Sequence, residues 1–66
     1  MVMWDIIREI RRRGTMNGNE VSKYSIFTLG RQRKSAGGCL ARAIQYGHIQ
    51  IVGTTFVNGQ EVNIYA

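Results

Sequence analysis

The chain has 66 residues, a formal net charge of +5 and 44% hydrophobic residues. That is a globular composition with room for one domain, residues 1–66, and it excludes large enzyme architectures such as a (β/α)8 barrel of about 250 residues. The single cysteine, Cys39, excludes an intrachain disulfide, and Cys39 with His48 falls short of the roughly four ligands of a structural zinc site.

Residues 2–13 are expected to form the first helix. Met3, Ile6, Ile7 and Ile10 repeat at i, i+3, i+4 and i+7, one apolar stripe at helical period. Arg11, Arg12 and Arg13 fill the last turn, where cations suit the helix dipole, and Gly14 stands at the usual stop. The arginine triplet has two readings, helix end and phosphate contact. Residues 15–19 read as a turn. A second helix is expected from about Glu20 to Leu29, with Asn19 or Ser22 as its N-cap and Gly30 after its end. Its buried side is expected to hold Val21, Ile26 or Tyr24, Phe27 and Leu29.

A third helix is expected from about Lys34 or Ser35 to Tyr46, ended by Gly47. Ala36, Leu40, Ala43 and Ile44 form its inner stripe, with Cys39 beside them. The opposite face is Lys34, Gly38, Ala41, Arg42 and Gln45, which is basic, polar and small. Gly37 and Gly38 inside a helix cost roughly 2 kcal/mol together relative to alanine. Close approach of another backbone, or a frayed first turn, would account for them.

The last third changes period. Two β-rich runs, residues 49–57 and 60–65, flank Asn58-Gly59, the strongest short-range hairpin signal. A two-residue loop there pairs Val57 with Gln60, Thr55 with Val62 and Gly53 with Ile64. Ile49, Ile51, Val57, Val62 and Ile64 are then expected to share one face, packed on the helices.

The positive charge is uneven. Residues 1–13 balance at +2, residues 14–28 at 0 and residues 47–66 at −1. Residues 29–46 hold Arg31, Arg33, Lys34 and Arg42 with no acid, a balance of +4. A polyanion is the natural partner of such a block. No catalytic constellation is present: Asp5, Glu9, Glu20 and Glu61 are scattered, and no phosphate-cradling pattern surrounds Gly37-Gly38. No enzyme activity, cofactor, metal or small-molecule ligand is therefore expected. No run approaches the ~18 apolar residues of a membrane span, and the N-terminal residues lack the basic start of a signal peptide. A cytoplasmic or nucleoid-associated protein is expected.

The order helix, helix, helix, hairpin resembles the winged helix-turn-helix proteins, an α+β fold of three helices followed by a β-hairpin wing. Leu29-Gly30 stands where that family has its turn glycine. Leu40 and Ala43 match its paired core positions, and Gly47-His48-Ile49 its exit into the wing. In size the chain is similar to small regulators of fimbrial operons, phages and plasmids. It departs at Ile26, where the family keeps a small residue, at Arg31, where an apolar residue is common, and in a wing whose one charge is Glu61. The resemblance implies a transcriptional regulator that places its third helix in the major groove of double-stranded DNA. Lys34, Ser35, Gly38, Arg42 and Gln45 would face the duplex, Arg31 and Arg33 would grip its backbone, and Asn58-Gly59 would form the wing tip. The alternative reading is a protein-interaction module on the same fold, an adaptor or inhibitor of a larger regulator or enzyme. A homodimer would have to use the first helix or the wing edge.

Overall fold

The computed structural model describes residues 2–30 and 33–66, with side chains from residue 3 in the first helix and from residue 37 in the third. The first helix, α1, is Val2–Arg13. Its stripe of Met3, Ile6, Ile7 and Ile10 is buried along its whole length. Gly14 takes φ +94° and donates its N–H to the Ile10 carbonyl at 2.8 Å, closing the helix as expected.

The next residues depart from the expected turn. Met16–Asn17 forms a short strand, β1, and the second helix, α2 (Gly18–Lys23), starts directly after it. The N-cap is Asn17, not Asn19 or Ser22. Its side chain accepts from the Glu20 N–H at 2.9 Å, and the Glu20 carboxylate accepts from the Asn17 N–H at 3.0 Å. This is a capping box, which satisfies two otherwise orphaned donors.

After Lys23 the chain widens into a π-turn, Tyr24–Thr28, which ends where the Leu29 N–H donates to the Tyr24 carbonyl at 3.2 Å. Val21 is buried, and Tyr24 and Leu29 pack against the core, but Ile26 is exposed and Phe27 is 81% exposed. The inward spacing 21, 24, 25, 29 leaves positions 26 and 27 on the outside. Position 25 is filled by Ser25, which is fully buried with no hydrogen-bond partner for its hydroxyl. Ser25→Ala should therefore raise stability by about 1 kcal/mol, by removing an unpaired buried hydroxyl and improving helix propensity. In a domain of this size that is a rise in melting temperature of about 4–8 °C. A fall would mean that the hydroxyl does bond in solution.

The third helix, α3, is Arg33–Gln45. It ends in a Schellman motif: Gly47, at φ +78°, donates to Ile44, and His48 donates to Ala43 at 2.9 Å. Leu40 and Ala43 are buried and Cys39 is half-buried against them. Ile44, expected inside, is exposed. Ala36 lies outside the residues whose side chains are described.

The two remaining strands are β2 (Ile51–Val57) and β3 (Gln60–Tyr65). Asn58 (φ +52°) and Gly59 (φ +80°) make the tight turn, and the register pairs Val57 with Gln60, Thr55 with Val62 and Gly53 with Ile64, as the two-residue loop requires. A bulge between Ile51 and Gly53 breaks the alternation, so Ile51 is exposed instead of joining the packed face. β1 pairs antiparallel with β3, Met16 opposite Tyr65, giving the sheet order β1-β3-β2. The result is a small α+β domain: three helices and a three-stranded antiparallel sheet close around one core. Met16, Val21, Ile49 and Tyr65 complete that core beside α1 and α3.

Candidate nucleic-acid interface

α3 is held by one side, through Leu40 and Ala43, against α1 and the end of α2. Its other side is open. Gly37, Gly38, Ala41, Arg42 and Gln45 are all exposed. Gly38, Arg42 and Gln45 stand at i, i+4 and i+7, one outward stripe. Among the described residues a Cβ placed on Gly37 or Gly38 would meet nothing within 4 Å, so no described backbone accounts for the two glycines. They leave α3 with a flat outer surface. Of the other sequence candidates, Arg31 and the side chains of Arg33, Lys34 and Ser35 lie outside the described residues.

The cations sort into two groups. Arg12 and Arg13 fold back on Glu9: Arg12 donates twice to its carboxylate, at 2.9 and 2.6 Å, and Arg13 once, at 2.7 Å. Arg13 also lies 3.8 Å from Glu20, which ties the end of α1 to the capping box of α2. Arg8 is paired with Asp5. Among the described residues Arg11, Lys23 and Arg42 have no carboxylate within 4.0 Å. The arginine triplet thus divides: Arg12 and Arg13 are held by Glu9, Arg13 also reaching the start of α2, and Arg11 is left to solvent.

The guanidinium hydrogen bonds, Arg12 first and Arg13 second, hold the Glu9 carboxyl at about 2, below its ordinary 4.5. A depressed carboxyl pKa stabilises the fold fully above 4.5 and loses that contribution as pH falls from 4.5 toward 2. Glu9→Gln should melt lower than the parent at neutral pH, and the two melting curves should converge by about pH 2. Parallel curves across that window would show that Glu9 is not the group being titrated.

The hairpin turn is placed by α2 rather than α3. Asn58 and Gln60 line a polar cleft with Gly18, Asn19 and Ser22, and both turn residues, Asn58 and Gly59, are exposed. At the far end of α3, Trp4 and His48 pack with ring centroids 4.4 Å apart, and Tyr46 meets His48 edge-on at 6.4 Å. Trp4 is 39% exposed. Sequence reasoning missed the outward aromatics. Phe27 projects beside a cleft lined by Arg13, Lys23 and Tyr24, and Phe56 on β2 is 71% exposed. For Phe56 the signal was present, since it alternates with the inward Thr55 and Val57.

No group of three or more His, Cys, Asp or Glu that could hold a metal ion occurs among the described residues, and no described helix is long and apolar enough to cross a membrane. Comparison of the chain with protein-family models, with curated proteins and with solved structures finds no match to any of them.

Proposed function

We propose that this chain is a winged helix-turn-helix protein that binds double-stranded DNA through α3 and regulates transcription. The observation that carries the proposal is the outward stripe of Gly38, Arg42 and Gln45 on a helix whose opposite side anchors it in the core. The order of three helices and a hairpin supports it, as does the +4 balance of residues 29–46. A helix seated this way can enter a major groove without disturbing the fold, and the missing side chains at Gly37 and Gly38 let its backbone approach a phosphate strand. Arg42 suits guanine edges or phosphates, and Gln45 suits adenine edges. On this reading Lys34 and Ser35 would add contacts to the duplex, Arg31 and Arg33 would grip its backbone, and the Asn58-Gly59 turn would act as the wing, a second point of contact.

A mobility-shift assay with random duplexes tests this. Binding should weaken steeply as salt rises, because each neutralised phosphate releases a counterion. Absence of binding to any duplex at low salt would overturn the proposal. The reading as a protein-interaction module would then lead, favoured by the exposure of Phe27 and Phe56.

A further inference from the structure

β2 is an edge strand, since β3 lies between it and β1. Native edges are commonly blunted by charge, proline or short length. β2 has seven residues, Ile51-Val52-Gly53-Thr54-Thr55-Phe56-Val57, with no charge and no proline. Its one protective feature is the bulge between Ile51 and Gly53.

The hydrogen-bond phase of this edge is set. A two-residue hairpin makes Val57 and Gln60 a hydrogen-bonded pair, so Thr55 and Gly53 also direct their backbone groups to β3. Gln50 and Ala66 exchange both bonds at 3.0 Å on the far side of the bulge. Thr54 and Phe56 are left with N–H and C=O facing the open edge, while Val52, inside the bulge, turns its C=O to that edge and its N–H toward β3. These three are symmetric about Thr54. Val52 and Phe56 are both exposed apolar residues, two positions to either side of it.

We infer that β2 pairs antiparallel with β2 of a second copy of this chain, with Thr54 on the two-fold axis, joining the two sheets into one of six strands. In that register each Phe56 N–H meets the Val52 carbonyl of the other copy, a contact repeated by symmetry. Charge favours the same contact. Residues 1–46 carry all nine cations, whereas β2 is neutral and residues 47–66 hold only Glu61. Two basic copies therefore meet where repulsion is least. The dimer is closed, because the edge left over is β1, two residues long. The inference does not depend on DNA binding.

Sedimentation equilibrium without DNA tests it. The mass should rise with concentration from 7.5 kDa to twice that value and no further. Phe56→Lys should keep the helical circular dichroism and raise the dimer dissociation constant by about tenfold or more. In a Cys39→Ser background, Thr54→Cys should oxidise to a covalent dimer, since hydrogen-bonded antiparallel partners lie about 5.5 Å apart, within disulfide range. Asn63→Cys, one strand further from the axis, should not. A monomer at every concentration overturns the inference. So does cross-linking through Asn63→Cys as efficient as through Thr54→Cys.

Discussion

Ile7→Ala should cost about 3 kcal/mol, within the roughly 2–5 kcal/mol range for emptying a buried isoleucine site. Ile7 has no exposed surface and sits mid-stripe on α1, the helix that packs along α3. A domain of this length has on the order of 3–10 kcal/mol in total. One core truncation therefore removes a large fraction of the margin, with no disulfide or metal site among the described residues to offset it. In urea the midpoint should fall sharply with the slope unchanged, because the surface exposed on unfolding is almost the same. Ile44→Ala is the matched control: the same change on α3, at an exposed position, should cost less than about 1 kcal/mol. Equal costs at the two positions would contradict the placement of the core.

The contrast between Ile7 and Ile44 shows what the sequence could reveal. The stripe on α1 was legible because four apolar residues hold one helical phase and nothing competes with them. The hairpin was legible down to its register, because Asn58-Gly59 needs positive φ at both positions and so dictates the pairing. Ile44 was not, because its wheel position lies at the margin of the α3 stripe and burial there depends on where neighbouring elements end. β1 was not, because two residues carry no periodicity and its partner strand lies at the other end of the chain. The N-cap was missed although Asn17 and Glu20 have capping-box spacing. Asn19, two residues on, offers the same cap chemistry. Of the alternatives Ile26 and Tyr24 it is Tyr24 that packs on the core, and Phe27, though strongly hydrophobic, is exposed. The phase from Val21 gives the inner site to Ser25, a residue no hydrophobic scale would choose.

The candidate interface was legible in part, for a related reason. An outward face is what remains after a helix has chosen its inner stripe, so Leu40 and Ala43 were enough to place Gly38, Arg42 and Gln45 outside. Charge alone would have ranked the arginine triplet beside them. The ion pairs to Glu9 divide that triplet, and such pairing depends on rotamers that spacing does not determine.

Arg42→Ala should weaken duplex binding while leaving the melting curve close to the parent's. The side chain is exposed, lies on the outward stripe and has no carboxylate partner among the described residues, so its loss opens no cavity and strands no charge. The size and form of the loss separate its two possible roles. A base contact should cost about 1–3 kcal/mol and relax preference at a single base pair. A phosphate contact should weaken all sequences alike and reduce the salt slope by about one unit. Lys34→Ala should behave as the loss of a phosphate contact, because an ammonium is a point charge without a bidentate fork. Arg12→Ala removes an equal charge from a side chain already held by Glu9, and should lower stability more than affinity. If Arg12→Ala weakened DNA binding more than Arg42→Ala and Lys34→Ala, the polyanion would lie across the end of α1, where Arg11 and Lys23 are also unpaired, and α3 would not be the reading helix.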